Sequence, residues 1–247
     1  MQLYLDQFHA KYDFDGGVKP CKFIVIATTA RSGSHMLGHA MRASGRLGFP
    51  LEYANPSNLK EWETLLQAQG FENVIEKLKN RRTSPNGVFS LKIHYSQLLR
   101  LGGFGEVQRI FPDSKYILLS RKNVVKQAVS YAIALQTGVW IEGQEGSRKS
   151  PRYDFALIDR CLKEILGDTA AWRYILNASG SDFLELEFEG VVSDMGSALN
   201  KVCSFAGVSG SDSIAGDPLV THSQSGTRNQ EWVDRFVKDH AGRFLYK

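Results

Sequence analysis

Four short runs of nearly continuous apolar residues punctuate this chain: Phe23 to Ala27 (FIVIA), Val88 to Ile93 (VFSLKI), Lys115 to Leu119 (KYILL) and Phe183 to Phe188 (FLELEF). Each has strand length and is mostly β-branched or aromatic, which predicts a strand. Between and after them the apolar positions fall at helical spacing, in Ser34 to Ser44, Leu59 to Arg81, Asn123 to Gln136, Asp154 to Ala178, Asp194 to Ala206 and Asn229 to Val237. Strand thus alternates with helix, and apolar strands without polar alternation are those covered on both faces. The pattern predicts an α/β single domain with a central, mainly parallel sheet flanked by helices, and ligands at the carboxyl ends of the strands. No repeat, low-complexity tract or Pro/Gly-rich linker divides the chain. Residues 1–20 read as an irregular N-terminal extension and residues 21–247 as the domain.

Composition narrows the class. With 247 residues, 43% of them hydrophobic, the chain can bury a substantial core. Its three cysteines, Cys21, Cys161 and Cys203, are widely spaced and form no CxxC, so neither a disulfide framework nor a zinc site is indicated, and a cytoplasmic location is expected. The opening residues carry acids and aromatics where a secretory signal needs a basic start and an apolar run, and no later stretch is long enough for a membrane span. The net charge of +4 suits an anionic ligand but is not gathered into a basic run, so nucleic acid is not an expected partner.

After FIVIA the chain reads TTARSGSHMLGHAM, a loop of small residues entering an amphipathic helix. This is the layout of a phosphate cradle: backbone N–H groups converge at a helix N-terminus, and Arg31, Ser32 and Ser34 can complete an anion site. A plain strand-to-helix turn with capping serines is the competing reading, weakened by an arginine in the middle of the turn. The loop is neither a Walker A motif, since no lysine follows Gly33, nor a GxGxxG fingerprint. After KYILL, the segment SRKNVVKQAVSYAIALQTGVW places Arg121 and Lys122 at a strand end, Asn123 at a helix start and Ser130 two turns along. Arginine and serine so placed can share one oxyanion; a surface basic pair before a core helix is the alternative.

Together, TTARSGSHML and LSRKNVVKQAVSYAIALQTGVW resemble the two donor-binding segments of sulfotransferases that use 3′-phosphoadenosine 5′-phosphosulfate (PAPS), most of all those of the bacterial Stf0 family. FLELEFEGVVSDMGSALNKVCSFAGV and QEWVDRF extend the resemblance over roughly Phe23 to Phe236. It implies a P-loop-like sulfotransferase fold without a required metal. Arg31, Ser32, Gly33, Ser34 and His35 are then expected to hold the 5′-phosphosulfate, and Arg121 and Ser130 the 3′-phosphate, with Lys122 a competitor to Arg121. The product is adenosine 3′,5′-bisphosphate, and the family precedent extends to a homodimer.

Sulfuryl transfer to an alcohol needs a base for the acceptor proton and a cation for the leaving group; Arg31 is the expected cation. Glu52, in GRLGFPLEYANPSN, matches the glutamate proposed as base in the Stf0 enzymes; near the donor and partly desolvated, it is expected to have a raised pKa. His94 ends VFSLKIH at the carboxyl edge of the sheet, where the cytosolic sulfotransferases place their catalytic histidine, and it stays open as the alternative. The expected acceptor is a small, sugar-containing hydroxyl compound, bound by the variable loops Leu51 to Asn58 and Val139 to Tyr153. Two rival readings are a nucleotide-dependent phosphotransferase and a non-catalytic anion-binding module. The first lacks the P-loop lysine and a magnesium-binding acid, and the second leaves the paired donor loops and Glu52 without a purpose.

Overall fold

The computed structural model describes residues 4–141, 150–209 and 227–244. The four apolar runs form β1 (Lys22–Thr28), β2 (Val88–His94), β3 (Lys115–Ser120) and β4 (Phe183–Glu187), all parallel, in the order β2-β1-β3-β4. Alternate residues of each strand feed two cores. Val25, Ala27, Leu91, Ile93 and Leu118 face one side with Phe49, Trp62, Leu78 and Trp172, whereas Ile24, Ile26, Ile117 and Leu119 face the other with Leu37, Met41, Leu199 and Val202. Most positions of β1 and β3 serve one core or the other, which keeps those runs apolar, whereas Ser90 and Lys92 of β2 and the exposed Glu185 and Glu187 of β4 serve neither.

Ten helices cover the sheet among the described residues: α1 (Ser34–Ala43), α2 (Pro56–Leu66), α3 (Phe71–Arg82), α4 (Tyr95–Arg100), α5 (Phe104–Ile110), α6 (Val124–Thr137), α7 (Phe155–Ala178), α8 (Phe188–Ser193), α9 (Met195–Phe205) and α10 (Thr227–Phe244). The segment Leu59 to Arg81, expected as one helix, is two. Gln67 and Gly70 take left-handed φ values of 48° and 80° and break it, while Asn55 accepts from the Ser57 N–H and Pro56 occupies the first turn of α2. Phe188, expected at the end of the fourth strand, instead opens α8.

Before β1, Leu5–Phe8 and Ala10–Tyr12 form two 3-10 turns. Phe8 packs edge-on to Trp62, with ring centroids 4.9 Å apart. The wholly buried Arg82 binds Asp13 at 2.7 Å and donates to the carbonyls of Gln7 and His9. From α1, Arg42 donates to the carbonyls of Tyr12 and Asp13.

The chain leaves β1 for β2 on one side and leaves β3 for β4 on the other. The crevice between β1 and β3 is therefore the topological switch point, where open α/β sheets bind ligands. Both basic segments singled out in the sequence open onto it. No helix among the described residues is long and apolar enough to cross a membrane.

Candidate active site at the carboxyl edge of the sheet

The loop from β1 to α1 is fixed from beneath. Thr28 Oγ1 donates to the Leu119 carbonyl of β3 at 3.0 Å and lies 2.6 Å from Ser32 Oγ, and Trp172 of α7 donates to the Thr28 carbonyl at 3.2 Å. Gln127 of α6 donates to Thr29 Oγ1 at 3.0 Å and to the Ala30 carbonyl at 2.7 Å. Arg31 takes a left-handed φ of 61°, and Gly33, at φ 88°, caps α1 without a side-chain acceptor. A Cβ on Gly33 would lie 2.1 Å from the ring of Phe188, so glycine is required by both conformation and space.

Two arginines meet over this loop. Arg31 Nε donates to Ser130 Oγ at 3.0 Å, and its Nη1 donates to the Trp140 carbonyl. Arg121 Nη1 donates to the Arg31 carbonyl at 3.1 Å, its guanidinium lies 4.2 Å from the centroid of the Phe188 ring, and its buried Nε has no hydrogen-bond partner among the described residues. Burial and the neighbouring Arg121 push Arg31 down to about 10. Both groups remain cationic, and bringing two such charges together makes the crevice a place where an anion is stabilised. Lys122 points elsewhere: its side chain is 66% exposed and pairs with Glu187 at 2.8 Å.

The second half of the site stands next to the first. β2 pairs with β1 so that His94 is level with Thr28, and Lys92 and His94, two residues apart, share one face of β2. Residues 47–52 run beside that strand, with Ser90 donating to the Leu47 carbonyl and the Lys92 N–H to the Leu51 carbonyl. Glu52 is thereby set against β2. Its carboxylate lies 3.1 Å from Lys92 Nζ and 3.6 Å from His94 Nε2, and it accepts from Gln97 at 3.0 Å and from Asn55 at 3.3 Å.

Burial alone would raise the Glu52 pKa, but His94, Lys92 and Gln97 outweigh it and hold the carboxylate well below the usual range. The raised pKa expected from the sequence is therefore reversed by the donors that surround the group. Burial keeps His94 below its ordinary value despite Glu52, so its imidazole is neutral near pH 7. Gln97 ties the two together, accepting from the His94 backbone N–H at 3.1 Å and donating to Glu52. His35 lies between the halves, its ring 5.6 Å from Tyr4 and 4.4 Å from His39, and burial followed by Lys92 keeps it neutral.

Arg31, Ser32, Gly33, Ser34, Arg121 and Ser130 are thus gathered at the switch point, with Glu52, His94 and His35 beside them and Lys122 turned away. Sequence reasoning missed Lys92, Gln97, Gln127 and Phe188. A lysine inside a strand buried on both faces must find a carboxylate, and that signal was available for Lys92. Of the two expected acceptor loops, Leu51 to Asn58 is the wall carrying Glu52, whereas residues 142–149 of Val139 to Tyr153 lie outside the described residues.

The family model for Stf0 sulphotransferases matches residues 23–239. The chain belongs to the Stf0 sulphotransferase family. This sulfotransferase is 25% identical to the trehalose 2-sulfotransferase of Mycobacterium tuberculosis (strain ATCC 35801 / TMC 107 / Erdman), over 87% of this chain and 93% of that protein. It is 24% identical to the trehalose 2-sulfotransferase of Mycolicibacterium smegmatis, over 89% and 96%. Among solved structures, a sulfotransferase from Alicyclobacillus acidocaldarius superposes with a TM-score of 0.50 at 18% identity, over 91% of this chain and 94% of that one, which supports the fold. Sulfotransferase membership displaces the phosphotransferase and non-catalytic readings.

Proposed function

We propose that this sulfotransferase moves the sulfuryl group of PAPS onto a hydroxyl of a small, sugar-containing acceptor and releases adenosine 3′,5′-bisphosphate. The observation that carries the reading is the meeting, at one sheet edge, of the Arg31–Ser130–Arg121 cluster with the Glu52–Lys92–His94 cluster. The first fits a donor with two separate anionic groups: the buried Arg121 Nε lacks a partner among the described residues, and the start of α1 has no side-chain cap. The trehalose 2-sulfotransferases among its relatives support a sugar acceptor.

In this reading Arg31, Ser32, Gly33, Ser34 and His35 hold the 5′-phosphosulfate, with His35 acting as a neutral partner, and Arg121 with Ser130 holds the 3′-phosphate. The exposed, Glu187-bound Lys122 yields that role to Arg121. The acceptor oxygen bonds to sulfur as the bond from sulfur to the 5′-phosphate oxygen breaks. Charge growing on the departing phosphate is met by Arg31 and the α1 N–H groups. The hydroxyl proton passes to Glu52. A carboxylate held ionised is a weak base, but the hydroxyl becomes strongly acidic once its oxygen bonds to sulfur, so a weak base suffices for a late proton transfer.

Steady-state kinetics with PAPS and trehalose or related sugars test this. Glu52→Gln is expected to lower kcat by about 10² to 10⁴ with donor affinity retained, and His94→Asn chiefly to raise acceptor KM. Near wild-type kcat in Glu52→Gln, with collapse in His94→Asn, would assign the base to His94. Failure to form a sulfated product with any sugar would refute the acceptor class.

A further inference from the structure

The residues ahead of β1 do more than cover the core. Gln7 is buried and forms a reciprocal amide pair with Asn58 of α2: its Nε2 donates to Asn58 Oδ1 at 3.1 Å, and Asn58 Nδ2 donates to its Oε1 at 3.4 Å. The same Asn58 Nδ2 donates to the backbone carbonyl of Glu52 at 3.1 Å. That carbonyl also accepts from the Asn55 N–H at 3.1 Å, closing the turn from which the Glu52 side chain leaves toward Lys92 and His94. Both N–H groups and the oxygen of Asn58 are therefore in use, and the orientation of its amide is set by Gln7.

Gln7 is in turn immobilised. It precedes Phe8, whose ring packs on Trp62 of α2, and its carbonyl accepts from the buried Arg82. The segment touches the donor side as well, through Tyr4 on His35 and Tyr12 on His39, the latter rings 5.5 Å apart.

We propose that the segment Leu5–Asp13 belongs to the catalytic apparatus, with Gln7 acting as a positioning residue that holds Glu52 through Asn58. The proposal rests on Glu52 being the base, as proposed above. Without Gln7, Asn58 can swing its amide off the Glu52 carbonyl, the turn loosens, and the carboxylate loses its fixed approach to the acceptor hydroxyl. Misplacement of a reacting group by a fraction of an ångström is enough to slow a positioned proton transfer. The donor site, anchored by β3, α6 and α7, is left intact.

The test is a double-mutant cycle with Gln7→Met, which keeps length and burial but removes both hydrogen bonds, in the wild-type and Glu52→Gln backgrounds. The expected result is a kcat about tenfold lower in the first background and unchanged in the second, with acceptor KM and the affinity for adenosine 3′,5′-bisphosphate retained in both. Gln7→Leu, which also removes both hydrogen bonds without burying a charge, serves as the second variant if Gln7→Met does not fold, and the same background-dependent loss is expected of it. An unchanged kcat in folded Gln7→Met, or the same loss in both backgrounds, would overturn the proposal and leave the segment a purely structural cover. A full kcat in Glu52→Gln alone would refute the base, and the route through it from Gln7. Collapse of Glu52→Gln with no effect of Gln7→Met would refute only the role of Gln7.

Discussion

Replacing Gly33 by alanine tests how the loop from β1 to α1 is built, because the added Cβ would lie 2.1 and 2.4 Å from two carbons of the Phe188 ring. Ordinary carbon contacts lie near ~3.5 to 4 Å, so the ring must retreat by roughly 1.5 Å. Phe188 is only half-buried and can move, but it is also the shelf under the Arg121 guanidinium. Two costs follow. The left-handed backbone at position 33 disfavours alanine by about 1 to 2 kcal/mol, and disturbing the Arg121 stack forfeits about 0.5 to 2 kcal/mol. Their sum, about 1.5 to 4 kcal/mol, corresponds to a Tm drop of roughly 3 to 16 °C for a domain of this size. In a Phe188→Ala background the clash has no partner, so Gly33→Ala should cost only the backbone part, about 1 to 2 kcal/mol. Urea denaturation of wild type, both single variants and the double variant gives the coupling. Calorimetric titration with adenosine 3′,5′-bisphosphate should show weaker binding in Gly33→Ala. If the two substitutions are additive within about 0.5 kcal/mol, the Gly33–Phe188–Arg121 stack is not an energetic unit and the reasoning fails.

Two further expectations are tied to single groups. Arg121→Ala should weaken binding of PAPS and adenosine 3′,5′-bisphosphate roughly tenfold to a hundredfold while sparing adenosine 5′-phosphosulfate, and Lys122→Ala should spare all three; fluorescence or calorimetric titration reads this, and a selective loss in Lys122→Ala instead would reverse the assignment. Burial, then Lys92, holds His39 down to about 4. The unfolded chain therefore binds a proton that the folded one refuses, and stability should fall as pH drops from about 6.5 to about 4, by up to about 3 kcal/mol. Urea melts at pH 7 and pH 4.5 should show this decline and a shallower one in His39→Phe; identical slopes would discard the argument.

The strands were legible because each run is short, bounded and mostly β-branched or aromatic, and β1 to β4 depart from the runs by no more than one residue at either end. The helices α4, α5 and α8 were not, since six or seven residues hold under two turns of periodicity. The turn from Arg31 to Ser34 into α1 was readable, because small residues and one arginine stand there in unbroken order. The surroundings of Glu52 were not: the glutamate could be placed by resemblance, but the sign of its pKa depends on Lys92, His94 and Gln97, brought to it by a strand and helix about forty residues further along. The different surroundings of Arg121, stacked on Phe188, and of Lys122, paired with Glu187, likewise depend on residues that arrive with β4 and α8.

The strand order has a consequence for how the protein is made. β1, among the most apolar stretches of the chain, lies between β2 and β3, so neither of its edges can be paired by sequence-adjacent structure. Its first partner is complete only at His94 and its second only at Ser120. At about 5 to 20 residues per second on the ribosome, the wait from Thr28 to Ser120 is about 5 to 18 s. Until His94 both edges of FIVIA are open, and until Ser120 one still is, a template for pairing with other nascent chains. Yield in overexpression should therefore respond to temperature and chaperone supply through the pairing of β1, independently of the chemistry at its carboxyl end.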